Sequence, residues 1–90
     1  MDFPAAFNAT NAAGIEFLKT EMGLANTFLN VAETTRRPEQ RIQSHHDAQM
    51  AYREVAHYLP RLQLTAIEKL DFDQRLAALK GRLMLAGIEP

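Results

Sequence analysis

Ninety residues suffice for one domain and leave little apolar surface to spare for its core. With 47% hydrophobic and 23% charged residues the chain is too apolar and too neutral for intrinsic disorder, and its formal net charge of -1, both signs scattered, disfavours nucleic acid or an anionic membrane as a partner. The absence of cysteine removes disulfides, thiolate nucleophiles and cysteine-based zinc sites together.

The opening MDFPAAFNATNAAG has no basic stretch leading into a long apolar run, and no segment approaches the roughly 20 apolar residues of a membrane span, so a cytoplasmic protein is expected. Pro4 suits a first helical turn. Residues 1–14 are expected as a short helix or an extended arm, docked on the body through Phe3 and Phe7. Thr10 or Asn11 is the expected cap of the first long helix, and Gly14 weakens that helix without forbidding it.

From Ile15 the pattern is periodic: Ile15, Leu18, Met22, Ala25, Leu29 and Ala32 alternate spacings of three and four, which is one helical face. A second row, Phe17, Leu24, Phe28 and Val31, widens the apolar arc beyond half the circumference, so this helix must touch two neighbours. Asn26 and Asn30 fall on the remaining, solvent-facing side. Glu21 lies inside the arc, between Ala25 and Phe28, where an unpaired carboxylate is costly. It needs a partner from another helix, a place at the edge of the packed face, or a functional use.

The link Thr34-Thr35-Arg36-Arg37 ends at Pro38, a good first residue for the next helix, and so short a link implies antiparallel neighbours. In the second helix Ala48, Tyr52, Val55 and Leu59 form the main stripe, flanked by Ile42, Ala51 and Ala56, until Pro60 stops or kinks it. Antiparallel pairing brings Tyr52 opposite Glu21, and a Tyr52 to Glu21 hydrogen bond is the expected resolution of the misplaced carboxylate. His45, seven residues before Tyr52, shares the core line and is expected half-buried, with a pH-sensitive contact as the alternative.

Thr65 and Glu68 then form a capping box, with the third helix carrying Phe72, Leu76, Leu79, Leu83 and Ala86 on one stripe and Gly87 as terminator. Ile67, Ala78 and Leu85 make a further row that faces either the N-terminal arm or a second copy of the chain. The expected architecture is all-α, an antiparallel three-helix bundle over residues 1–90, with helices at about 11–34, 38–59 and 65–86.

Within the second helix, Ala48-x3-Tyr52-x2-Val55-x4-Pro60 resembles the second half of a tetratricopeptide repeat, in which small residues admit a partner helix and an aromatic fills the groove. The likeness spans about 13 residues; the helix is longer than the repeat's by a turn or more, and helix one lacks the repeat's Trp-Leu-Gly-Tyr pattern. It implies a helical hairpin that binds a peptide or protein. Three-helix modules that bind partner helices along a groove look similar.

The chemistry-bearing residues point the same way. Glu54-Val55-Ala56-His57 has the Glu-x-x-His spacing of di-iron bundles, but both residues lie off the core stripe, so a metal site needs two copies brought together in a homodimer. Ser44, the one serine, has its histidines adjacent in sequence rather than across a turn, and no glycine-rich phosphate loop is present. No catalytic residue and no cofactor is therefore expected. The reading is a non-enzymatic interaction or oligomerisation module, with Glu21, His45 and Tyr52 as candidate binding residues and a protein, a peptide or a second copy as partner. The alternative is a metal-binding protein using Glu54 and His57 across a dimer.

Overall fold

A computed structural model describes residues 4–90, with side chains from residue 10 onward. Three helices run up, down and up: α1 (Pro4–Thr34), α2 (Pro38–Tyr58) and α3 (Ala66–Leu85), with a 3₁₀ turn at Leu59–Arg61 after α2. The bundle measures 49 × 23 × 17 Å. Its long dimension is set by the 31 residues of α1, about 46 Å at 1.5 Å per residue.

The helix expected to begin near residue 11 begins at Pro4, so residues 4–14 form neither an arm nor a separate short helix but the first turns of α1. Pro4 at the start, followed by Ala5, Ala6, Ala9, Ala12 and Ala13, explains this, because alanine has the highest helix propensity and the run outweighs one glycine. Thr10 and Asn11 are therefore interior helix residues and not caps. The expected docking of Phe3 and of the Phe7 side chain lies outside the described residues.

Asn11 has a different use. Its side-chain amide donates to the Gln63 carbonyl (2.9 Å) and its Oδ1 accepts from the Gln63 N–H (2.6 Å). One side chain thus satisfies both backbone groups of a link residue that belongs to no helix. Next to it, Gly14 leaves room for Leu62: a Cβ there would stand 2.8 Å from Leu62 Cδ2. The link between α2 and α3 is held against α1 by these two contacts.

The core forms two clusters along the bundle. At one end Ile15, Leu18, Met22, Val55, Leu59 and Phe72 pack together with Leu62, Leu64 and Leu76. At the other, Ala25, Leu29, Ala48, Ala51, Leu79 and Leu83 pack with Phe28, Tyr52 and Ile88. The expected stripe of α1 is buried throughout, and that of α3 is buried or half-buried except for Ala86, which caps the helix and is exposed. Of the expected α2 stripe Ala48, Val55 and Leu59 are buried and Tyr52 is half-buried against the second cluster, but the buried face is turned slightly towards Ser44 and Ala51, so that the flanking Ile42 and Ala56 are exposed. The small residues Ala48 and Ala51 meet α1 where it supplies Leu29, and close-packed interiors set small side chains opposite large ones.

The ends are closed by specific bonds. The last turn of α1 has no basic residue of its own. Arg41 of α2 supplies the charge, donating to the Ala32 carbonyl (3.3 Å) and the Thr35 carbonyl (3.0 Å). At the start of α3 the capping box is present as expected: Thr65 Oγ1 accepts from the Glu68 N–H (3.1 Å), and Glu68 Oε1 accepts from the Thr65 N–H (2.9 Å). At its end Gly87, with φ of 79°, makes a Schellman turn in which Ile88 N–H reaches the Leu83 carbonyl (2.9 Å) and Gly87 N–H the Met84 carbonyl (3.0 Å). That turn drives Ile88 back into the core, and Gln49 fixes the tail through the Glu89 carbonyl (2.6 Å).

Asn26 and Asn30 are exposed, as expected, and from that side they also receive Arg82 of α3. Its guanidinium donates to Asn26 Oδ1 (2.8 Å), Asn30 Oδ1 (3.0 Å) and Glu33 Oε2 (2.9 Å), three acceptors on successive turns of α1. This ladder sets the height of α3 against α1. No helix among the described residues is long and apolar enough to cross a membrane.

Two substitutions test this account by urea denaturation. Phe72→Ala, at a position 1% exposed, should cost about 3–5 kcal/mol. Asn11→Ala, which strips both bonds from an exposed link, should cost about 0.5–1.5 kcal/mol and raise the protease sensitivity of residues 60–65.

Candidate functional site: a groove between the first two helices

Helix α3 covers one side of the α1/α2 pair, and the other side holds an open groove of about 620 Å³. The wide apolar arc of α1 is its cause: α2 and α3 cover the row from Ile15 to Ala32, while the second row has only the edge of α2 beside it. Leu24 and Phe28 of α1 face Met50, Ala51 and Tyr58 of α2 across the groove. Leu24, Met50 and Tyr58 are each more than 40% exposed. A second hollow of about 330 Å³, lined by Gly14, Phe17, Arg61 and Leu62, shares Glu54 and Tyr58 with the first and continues it towards the α2–α3 link. Measured along α1 from Gly14 to Phe28, the two together run about 21 Å.

Glu21 and Glu54 lie in the middle. The rotation of α2 described above brings Glu54, not Tyr52, to the place opposite Glu21. Tyr52 turns instead onto the second core cluster, and no Glu21–Tyr52 hydrogen bond forms. The Glu21 carboxyl is half-buried and held above its ordinary value of 4.5, first by burial, then by the charge of Glu54 and by a hydrogen bond between the two carboxyls. Asp47, Arg53 and His57 also line the groove, yet neither Glu21 nor Glu54 is ion-paired among the described residues. His57 stands edge-on to Tyr58 at 4.7 Å between ring centroids, and the Arg61 guanidinium sits 5.5 Å from the centre of the same ring.

Of the residues singled out from the sequence, the groove gathers Glu21, Glu54 and His57, from two separate lines of reasoning, and leaves His45 and Tyr52 outside. His45 is half-buried as expected, beside the buried Ser44, and takes no part in the groove. Among the described residues no three histidine or carboxylate side chains come together as a metal-holding group, so within one chain Glu54 and His57 stand as a pair without further ligands. Leu24, Met50 and Tyr58 were not singled out. The second apolar row of α1 signalled the first of them, whereas Met50 and Tyr58 lie off the α2 stripe and became neighbours of the groove only through helix packing.

In comparisons with protein-family models, curated proteins and solved structures, nothing matches this chain.

The carboxyl pair gives a pH dependence of known sign. Because the folded state binds the Glu21 proton more tightly than the unfolded chain, the stability it contributes is present below 4.5 and is lost as pH rises through the raised folded value. Glu21→Gln keeps the hydrogen bond and removes the charge. By thermal unfolding it should be more stable than the parent at pH 7, with the difference gone by about pH 4; an equal difference at both pH values would show that ionisation of Glu21 is not what costs the fold stability.

Proposed function

We propose that the protein is a non-catalytic interaction module that receives one amphipathic helix of a partner protein in the α1/α2 groove, with a lysine or arginine of that helix set between Glu21 and Glu54. The observation that carries this reading is the coincidence of exposed Leu24, Met50 and Tyr58 with two carboxyls that no cation of the described chain meets. Helix-in-groove recognition rests on apolar anchors at spacings of three and four along the ligand. A groove of about 21 Å suits roughly four helical turns, or about 14 residues. A cation between the carboxyls would replace their mutual repulsion with two charge-assisted hydrogen bonds, in a partly desolvated place where such bonds are strongest.

The tetratricopeptide-like reading of α2 belongs to the same proposal, since it implies peptide or protein binding by a helical hairpin, and α1 with α2 is such a hairpin.

Selection of a display library of helical peptides of about 14 residues against the protein tests the proposal. Enriched sequences should carry an apolar stripe interrupted near its centre by Lys or Arg. The selected peptide should lose about ten-fold in affinity, or 1.4 kcal/mol, when that residue becomes Gln, and much less against the Glu21→Gln/Glu54→Gln protein. Enrichment without a central cation, or an affinity unmoved by the double substitution, would overturn it.

A further inference from the structure

We propose that α3 pairs antiparallel with α3 of a second copy of this chain, through the face turned away from its own core. The inference is independent of the groove, which is lined by no residue of α3.

Helix α3 is apolar on two opposite sides. Phe72, Leu76, Leu79 and Leu83 pack inward. At 100° per residue, the opposite side carries Ile67, Leu70, Ala77, Ala78, Met84 and Leu85, and Gln74 is the one polar side chain among them. Ile67 is 81% exposed, Leu70 and Met84 59% each, and Leu85 91%. A helix lying on a monomer surface is polar on its outer side, and a helix apolar on both sides is one that another element covers.

The charges of α3 are confined to the two flanks between these faces. Towards α1 lie Glu68, Asp71, Arg75 and Arg82, and towards α2 lie Lys69, Asp73 and Lys80. Asp71 and Arg75 pair within their flank (3.2 Å), as do Lys69 and Asp73 (2.8 Å). When two such helices pair antiparallel, each flank meets its own counterpart in reverse. A two-fold axis near Leu76, the midpoint of the stripe, sets Asp73 beside the partner's Lys80, and the symmetry makes that contact twice. On the other flank Asp71 approaches the partner's Arg82, while Arg75, held by its own Asp71, meets the partner's Arg75 near the axis. A parallel arrangement would instead join opposite flanks: Asp73 would approach the partner's Arg75, but Lys80 would stand beside the partner's Arg82 twice over, and those like charges at the C-terminal end disfavour it.

The sizes of the side chains agree. In the antiparallel register Ile67 lies beside the partner's Leu85, and Leu70 lies over the partner's Gly81. A Cβ at Gly81 would meet nothing of its own chain within 4 Å, so the open space there is free for a neighbour. Ala77 and Ala78 near the axis let the helices approach closely, and the large residues at the two ends close over them. A single pair of helices makes a small interface, so association in roughly the micromolar range is expected.

Sedimentation velocity of the full chain, from about 1 µM to several hundred µM, should show a concentration-dependent monomer to dimer transition. Leu85→Glu and Ile67→Glu, both exposed in the monomer, should each weaken it by about ten-fold or more with unchanged helicity by circular dichroism. Asp73→Lys should weaken it, and Asp73→Lys/Lys80→Asp should restore it. Orientation is read by oxidative cross-linking: Ala77→Cys should link to itself across the axis, whereas Ile67→Cys, about 27 Å from its own copy, should link only to Leu85→Cys. A monomer throughout, a dimer untouched by both glutamates, or self-linking of Ile67→Cys would each overturn the proposal.

Discussion

Everything in this bundle depends on how closely α2 can approach α1. Ser44, Ala48 and Ala51 present almost no side chain on the face of α2 that meets Ala25 and Leu29, so the two backbones come together along most of α2. Such an approach fixes the rotation of α2 about its own axis, because any other face would bring a histidine, a glutamine or Ile42 into a space meant for a methyl group. That rotation places the other side chains of α2. Val55 and Leu59 are aimed at Phe72, Tyr52 is turned to the edge of the second cluster, and Glu54 is carried round to stand opposite Glu21.

With a short chain and no cysteine, stability has to come from apolar packing and from helix ends that leave few backbone groups unsatisfied. The polar contacts lie where the helices begin, end or cross. Asn11 serves the backbone of the α2–α3 link, Arg41 the carbonyls at the end of α1, and Arg82 a ladder of three acceptors that sets α3 against α1. The Glu33 partner of Arg82 is mostly exposed, so this ladder contributes register and geometry more than energy. The core clusters meanwhile use nearly all of the inward-facing apolar residues.

Two apolar surfaces remain after the core is complete. One is the groove between α1 and α2, which combines exposed apolar rims with a mutually repelling pair of carboxyls; the other is the outer side of α3, flanked by charges along each edge. They lie on opposite sides of the molecule, so a helix in the groove and a second copy on α3 do not compete for space. A module built in this way would present two grooves per dimer, and a partner with two matching helices would gain from their being held together.

The three helices, their order and the faces of α1 and α3 were legible in the sequence, because periodic apolar residues, a proline at a helix start, a Thr-x-x-Glu box and a terminal glycine are local signals that act within one or two turns. The surplus row on α3 and the anomaly of Glu21 were legible for the same reason. What only the tertiary structure decided was the rotation of α2 and everything that depends on it. A stripe of mixed small and large residues fits a neighbour in two ways that differ by a fraction of a turn, and the choice belongs to the side chains of the other helices. So the sequence alone could show that Glu21 needed a partner, but the identity of that partner, Glu54 in place of Tyr52, came from the fit of alanines on α2 against Ala25 and Leu29 on α1. The start of α1 at Pro4 and the crossing of Arg82 to Asn26 and Asn30 were hidden in the same manner, the first by an alanine run that carries no apolar period and the second by a contact between residues 56 positions apart.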